Sequence, residues 1–325
     1  MLASSARAAD VRAPNAAIAA EIARLRAVVA TLPEPMLGAD ERKQLQLQLA
    51  TLDDLLQAGR SAGALHGLLR SARYVDAQAF RASKAAEIKE GMPALEREFP
   101  RFDEDRRRQL GGLGSEAESA IARALSETAL YESRIVHEAC LVYGSQVGAD
   151  AGYFYLGEAR ALLAFARFAR GLKAEAVRPL PSLRPLAPRL AELEQRLLDA
   201  YAGNTASPQA SAFARANGAL KLARELDREK AVWGALYQYL LAEQALGQAR
   251  AAAPTREAAE LRRALEPLAE RLGAAKSDHT LALAFVQVAQ NALAAPDPKP
   301  ALGNAQVVVD VVVPAYLELV GENNK

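Results

Sequence analysis

The stretch that most constrains the fold is residues 152–172, which read GYFYLGEARALLAFARFARGL. It carries only four charged residues, and its apolar side chains extend around most of a helix instead of along one stripe. A helix of that kind is buried by the elements that pack around it. Residues 232–247 (VWGALYQYLLAEQALG) have the same character, with Glu243 as their only charge. We therefore predict that these two stretches are central helices of an all-α protein.

The rest of the chain supports the same fold class. It is rich in alanine, leucine, arginine and glutamate, which are strong helix formers. Apolar residues recur at helical spacing, and they predict about eleven helices arranged as stacked antiparallel pairs. No strand is predicted, because the valine-rich run at 307–313 has β propensity but no evident partner.

Three segments are predicted along the chain. Residues 1–13 form a disordered tail or an export-signal remnant, 14–110 an N-terminal helical segment, and 115–325 a C-terminal helical array. The boundary rests on residues 101–114 (RFDEDRRRQLGGLG), whose dense charge and three glycines predict a region of low order. Ser115 and Glu118 have capping-box spacing for the next helix. Residues 173–188 contain four prolines and predict a rigid extended connector.

Charge and cysteine content exclude several classes of function. Lysine plus arginine total 40 and aspartate plus glutamate 39, so a net charge of +1 argues against a nucleic-acid interface. Cys140 is the only cysteine, which rules out an intrachain disulfide. The sequence has no run of eighteen apolar residues, and we therefore predict no membrane span.

Ala6, Arg7 and Ala8 have the small-x-small form of a signal-peptidase site. This pattern predicts export to a bacterial periplasm. A cytoplasmic protein with a disordered Ala/Ser tail is the alternative that the sequence leaves open.

The sequence predicts no enzyme, no metal site and no cofactor. His137 and Cys140 share a helix face at a spacing that suits two metal ligands, but no second pair completes the coordination sphere. Phosphate-loop, zinc-protease and hydrolase nucleophile motifs are absent. Chemistry by scattered carboxylates is left open, since sequence alone does not show which carboxylates meet.

Aromatic residues concentrate in and beside the two central helices. They favour either core packing or the wall of an apolar cavity or groove between helices, where ligand sites of helical bundles lie. The candidate ligand-binding residues on the second interpretation are Tyr153, Tyr155, Phe165, Trp233, Tyr237 and Tyr239.

The first central stretch also resembles a known repeat. Its aromatic start at Tyr153, the pair Leu156-Gly157, and the later Ala166 and Ala169 are similar to the first helix of a tetratricopeptide-type hairpin. The resemblance implies stacked helical hairpins with a concave binding face and no catalysis. The fixed repeat period and the closing proline of that family are absent, so no ligand-contact positions are transferred.

These observations predict a non-catalytic adaptor of the bacterial envelope that docks a protein partner on a concave helical face. The alternative is a periplasmic carrier that holds a lipid-like or sterol-like molecule in an apolar cavity between helices.

Overall fold

The structure, a computed structural model, describes residues 12–111, 117–174, 177–201, 209–250 and 254–321. Helices make up almost all of the regular structure in these ranges, which confirms the predicted all-α fold. The predicted export-signal remnant at Ala6–Ala8 and Ser115 of the predicted capping box lie outside the described residues.

The described residues separate into two compact units. Unit 1 takes the described parts of Met1–Glu118 and Leu125–Glu175, and unit 2 takes Ser119–Ala124 and the described part of Ala176–Lys325. The domain boundary predicted near residues 110–115 falls largely on 112–116, outside the described ranges, so it stays a prediction.

Unit 1 is built from helices that run in chain order. They are α1 (Arg12–Thr31), α2 (Ala39–Gln57), α3 (Ser61–Ser83), α4 (Ala85–Glu90), α5 (Met92–Gly111), α6 (Ala120–Val147, of which the first residues belong to unit 2) and α7 (Ala149–Gly171). Glycines with positive φ, Gly59, Gly91 and Gly148, stand between successive helices. Positive φ is the backbone region that glycine adopts without steric cost, so each of these positions lets the chain turn.

Helix α7 is the centre of unit 1, as its sequence predicts. Tyr153, Leu156 and Ala159 are fully buried, and they pack with Leu95 and Phe102 of α5. Helix α3 lies along the other side of α7. Burial on several faces explains why this helix is apolar around most of its circumference.

The prediction of low order at residues 101–114 is wrong for 101–111, where α5 continues to Gly111. Its charges alternate in sign at a spacing of three residues, so that neighbours on one helix face attract each other. Arg101 donates to Glu98 at 2.8 Å, and Arg108 pairs with Asp105. Phe102, fully buried, anchors the helix to the core of the unit.

Helices α3 and α7 approach closely at Gly157. A Cβ atom at this position would lie 2.8 Å from the carbonyl oxygen of Ala77 and 3.1 Å from Cδ1 of Phe80. Backbone atoms of a packed helix do not move aside easily, so α3 and α7 can approach this closely only because glycine has no side chain.

We expect Gly157→Ala to lower the free energy of unfolding by about 1–3 kcal/mol, the usual cost of overpacking. The matched control is Gly218→Ala in helix Ala210–Arg228, where an added Cβ meets nothing within 4 Å. Alanine is the better helix former, so the control should gain about 0.5–1 kcal/mol. Denaturant unfolding of both variants measures the difference, and a shift of the same sign in both would contradict the close approach.

Unit 2 contains the remaining helices and one small β ribbon. The elements are β1 (Ser182–Leu183), α8 (Ala187–Tyr201), α9 (Ala210–Arg228), α10 (Val232–Arg250), α11 (Ala258–Ala274), α12 (Thr280–Ala294), a 3₁₀ turn (Lys299–Ala301), α13 (Leu302–Val307), a π turn (Val308–Val312), α14 (Val313–Leu319) and β2 (Val320–Gly321). Helix α10, the second predicted central helix, has thirteen buried residues among its nineteen.

The two short strands correct the expectation of no strand. They pair antiparallel, with Ser182 opposite Gly321 and Leu183 opposite Val320. The backbone N–H of Arg184 extends the pairing by donating to the carbonyl oxygen of Leu319 at 2.8 Å. The proline-rich connector is therefore fixed to the end of α14.

Pro314 does not end the helical path, and it lies in the first turn of α14. Proline has no N–H to donate and its ring crowds the carbonyl four residues earlier, here that of Asp310. The π turn Val308–Val312 precedes it, and the N–H of Val313 donates to the carbonyl oxygen of Val308, five residues back. The helical path runs from Lys299 to Leu319 because this wider turn accommodates the proline.

That same path is the one helix in the described part of the chain that is long and apolar enough to cross a membrane. Its buried residues include Val308, Val312 and Tyr316, which lie in unit 2. A core helix meets the same criterion, so the prediction of no membrane span stays a prediction.

Candidate functional site: the Trp233 groove

The six candidate residues are divided evenly between the two units. In unit 1, Tyr153 and Phe165 are buried in the core, whereas Tyr155 is half-buried and stacks on the exposed Tyr143. The core position of Tyr153 leaves its hydroxyl without a hydrogen-bond partner in the described structure. Of these three residues, Tyr155 alone lies where a partner could reach it.

In unit 2, Tyr237 and Tyr239 belong to the interior. The ring of Tyr237 packs on Phe285 at a centroid distance of 6.2 Å. The hydroxyl of Tyr239 donates to Oε1 of Glu243 at 2.9 Å. Trp233 is as buried as these two residues, at 4% exposed, and it also contributes to the lining of a surface groove.

The Trp233 groove has a volume of about 400 Å³ and is open to solvent. One wall comes from the connector and the other from the start of α10, with the end of α14 closing one side. Its lining residues are Pro181, Leu183, Arg184, Pro185, Leu186, Asp227, Val232, Trp233, Leu236 and Leu319. Eight of these ten are apolar, so the groove offers a mainly hydrophobic surface.

Local backbone features fix the conformation of both walls of the groove. Pro181 and Pro185 fix φ along the connector, and the β1–β2 ribbon ties this segment to α14. On the opposite side, α9 ends in a turn in which Lys230 has φ +63°. The N–H of Ala231 bonds to the carbonyl oxygen of Leu226, which is the helix-ending pattern that normally uses glycine. The groove is therefore formed by ordered backbone on both sides.

Two opposite charges stand at the edge of the groove. Arg184 is exposed and Asp227 is half-buried, and neither side chain has an ion-pair partner within the described ranges. Charges placed around an apolar surface select partners of complementary charge. The groove thus combines a hydrophobic floor with one cationic and one anionic contact.

A second groove of unit 2, about 300 Å³, has Arg196, Arg250 and Thr255 among its lining residues. Arg196 is committed to Glu243, whose two carboxylate oxygens accept from its guanidinium at 2.7 and 2.8 Å. Glu243 is almost fully buried. Burial of Tyr239 and, after it, the charge of Glu243 raise the pKa of the Tyr239 phenol above its ordinary value. This network stabilises the interior next to the groove.

The histidines and the cysteine occupy structural positions in the described structure. The ring of His137 stacks on Phe99 at a centroid distance of 3.9 Å and is tilted against Phe102 at 4.3 Å, and its Nε2 lies 3.0 Å from the carbonyl oxygen of Phe99. Burial lowers the pKa of His137 and raises that of the neighbouring Cys140 thiol to about 12, so the thiol is protonated at neutral pH. Burial also lowers the pKa of His66 to about 4.

His279 lies in a buried hydrogen-bond network at the start of α12. Its Nδ1 is 2.9 Å from the hydroxyl of Tyr316, and Nε2 is 3.1 Å from Oγ of Ser277. The adjacent Asp278 accepts from the N–H groups of Thr280 and Ala120. Within the described ranges, no three histidine, cysteine, aspartate or glutamate side chains are grouped to hold a metal ion.

No family model, curated protein or solved structure matches this chain. The tetratricopeptide resemblance accordingly stays a prediction.

Sequence reasoning found Trp233 but missed the opposite wall of the groove. The prolines of the connector predict only a rigid spacer, and no sequence motif marks Arg184 or Asp227. The available signal was the alternation of proline with leucine at residues 179–186. A rigid extended backbone cannot fold back to bury its own leucines. The leucines of this segment must therefore pack against another surface of the protein.

Proposed function

We propose that this protein is a non-catalytic helical adaptor that holds an apolar side chain of a protein partner in the Trp233 groove. The observation that supports the proposal is the groove itself, with its apolar floor and two charges at its edge that have no ion-pair partner among the described residues. Interfaces between proteins commonly have this anatomy, in which a hydrophobic centre is surrounded by polar contacts. Binding energy concentrates in buried aromatic anchors such as Trp233.

The open form of the groove favours a protein segment over a lipid-like cargo. Pockets for small molecules bury most of the ligand surface, roughly 70–90%. A groove open to solvent leaves an apolar molecule partly in water, whereas a protein segment can insert one side chain and remain solvated elsewhere.

The charges at the edge define the partner further. Arg184 suits an acidic side chain and Asp227 suits a basic one. The expected recognition element is a short segment with a leucine-like or aromatic anchor that has an acidic residue on one side and a basic residue on the other.

This function is tested by selecting peptides from a displayed random library on the full-length protein. Selected peptides should share the charged and apolar pattern, and they should shift the emission of Trp233, the sole tryptophan.

In the Val232→Glu variant, the affinity for the selected peptides should fall at least about tenfold, which corresponds to about 1.4 kcal/mol of binding free energy. The reason is that a bound peptide would bury the new carboxylate without a partner, and this costs more than that free energy. Val232 is 37% exposed and opens α10, where a carboxylate is compatible with the helix dipole, so this variant should fold.

The matched control is Leu198→Glu, which places the same charge on an exposed leucine of unit 2 that does not line the groove. It should bind the selected peptides as the unmodified protein does. Equal losses in both variants would refute the groove as the site. A saturable change in Trp233 emission with cholesterol or phosphatidylcholine vesicles, but with no peptide, would favour the carrier instead.

A further inference from the structure

Two tyrosine rings of unit 1 are stacked on each other where α6 ends and α7 begins. The ring of Tyr143 lies at a centroid distance of 4.2 Å from the ring of Tyr155, with an interplanar angle of 16°. Their phenol hydroxyls are hydrogen-bonded to each other. The two rings therefore overlap at their hydroxyl ends, and the carbons next to each hydroxyl, the ortho carbons, lie close together. We call these two residues the tyrosine pair.

The tyrosine pair is accessible from solvent. Tyr143 is 39% exposed and Tyr155 is half-buried, whereas Tyr153, two residues earlier on the same helix, is fully buried in the core. A diffusible oxidant, or the edge of an oxidising cofactor in another protein, can thus reach the ring of Tyr143 while the folded structure keeps Tyr155 against it.

Two phenols in contact can be joined by oxidation. Removal of one electron and one proton from each phenol gives two phenoxyl radicals, and the unpaired electron of each is partly located on the ortho carbons. A bond between one ortho carbon of each ring pairs the two electrons. The hydrogen on each joined carbon then moves, through water, to the oxygen of its own ring, which restores both aromatic rings and both hydroxyls. The product is dityrosine, and the net loss is two electrons and two protons.

We propose that Tyr143 and Tyr155 are a modification site, which a peroxide-driven one-electron oxidant such as a haem peroxidase converts to an intramolecular dityrosine cross-link. One molecule of hydrogen peroxide takes up the two electrons and the two protons and leaves as two molecules of water. The site belongs wholly to unit 1 and does not depend on the Trp233 groove.

Proximity favours coupling within the pair over coupling between two protein molecules. Two reacting groups that are held in contact have an effective concentration far above that of a protein in solution. Exposed side chains also rotate within nanoseconds, so the ring of Tyr143 can turn from the stack towards the new bond. Tyr201, the other exposed tyrosine in the described part of the chain, packs on Phe213, which has no phenol to couple with.

The only thiol of the chain does not consume the peroxide. Cysteine is oxidised by peroxide as the thiolate. Cys140 is fully buried, and this burial raises its pKa to about 12, so almost no thiolate is present at neutral pH. Oxidising equivalents therefore remain available for the exposed phenol.

The cross-link ties the end of α6 to the start of α7 across the turn at Gly148. A covalent link between two positions of a chain reduces the conformational freedom of the unfolded state and so stabilises the folded one. Oxidation of the tyrosine pair should accordingly make unit 1 more resistant to unfolding.

The test treats the full chain with a haem peroxidase and hydrogen peroxide. Intact-mass analysis of the monomer should show the loss of two hydrogen atoms, and the monomer should gain the fluorescence of dityrosine. Tandem mass spectrometry of its proteolytic fragments should place the bond between Tyr143 and Tyr155. The denaturant midpoint of the cross-linked monomer should be higher than that of the untreated protein, and an unchanged or lower midpoint would refute the stabilising effect.

Three variants make the assignment specific. Tyr143→Phe and Tyr155→Phe keep the stacked ring and remove one phenol, so each should fold and each should abolish the intramolecular product. The matched control Tyr201→Phe removes an exposed phenol of unit 2 and should give as much product as the unmodified protein. The modification site is refuted by any of four results: no dityrosine, dityrosine in covalent dimers alone, a bond between other tyrosines, or an equal loss in Tyr201→Phe.

Discussion

Leu163→Ala is expected to lower the free energy of unfolding by about 2–5 kcal/mol, the range for truncation of a fully buried leucine. Leu163 is 1% exposed and belongs to the core cluster around Tyr153 and Leu156. Truncation removes apolar contacts and leaves a cavity, because close-packed neighbours relax only in part. Thermal or denaturant unfolding of the full chain measures the loss.

The matched control is Leu47→Ala on α2, a leucine that is 54% exposed. The same side-chain truncation there should change the free energy by no more than about 0.5 kcal/mol. An effect of equal size at both positions would show that Leu163 does not lie in the core, and it would remove α7 from the centre of unit 1.

The helices could be predicted because their signals are local. Ile18, Ile22 and Val29 recur at helical spacing, and all three are fully buried on one face of α1. A helix ends at Gly91, which has a positive φ. This end is predictable because glycine adopts positive φ without steric cost. Spacing and turn chemistry act within a few residues, so each can be recognised without knowledge of the fold.

The β ribbon could not be predicted, because its partners are far apart in sequence. Ser182 and Gly321 pair across almost half of the chain, and neither residue has strong β propensity. The pairing depends on where α14 ends, which in turn depends on the π turn before Pro314. One wall of the Trp233 groove follows from these long-range constraints.

The sequence also does not show which aromatic residues of α7 lie in the core and which lie at the surface. Tyr153 and Tyr155 lie two residues apart on α7, yet Tyr153 is buried, whereas Tyr155 is half-buried and stacks on the exposed ring of Tyr143. A helix that is apolar around most of its circumference has no polar face from which its orientation could be inferred. The ring of Tyr143, on the preceding helix, is what identifies the outer side.

Arg196→Met is expected to cost about 3–5 kcal/mol, because it leaves the charge of Glu243 uncompensated in the interior of unit 2. Arg196 gives Glu243 two hydrogen bonds, at 2.7 and 2.8 Å, and only the hydroxyl of Tyr239 remains once the guanidinium is removed. The carboxylate is 1% exposed, so water cannot replace the lost donors. Methionine keeps much of the apolar stem of arginine, which separates the loss of charge from the loss of packing.

Two further variants make this result specific. Arg224→Met breaks the ion pair with Glu194, whose side chain is 43% exposed, and it should cost no more than about 1 kcal/mol. The double variant Arg196→Met with Glu243→Gln should recover most of the stability, because the uncharged amide still accepts from Tyr239 and is cheaper to bury. Denaturant unfolding of the three proteins distinguishes these outcomes. If Arg196→Met costs no more than Arg224→Met, or if Glu243→Gln restores nothing, Glu243 is not the buried charge that Arg196 compensates.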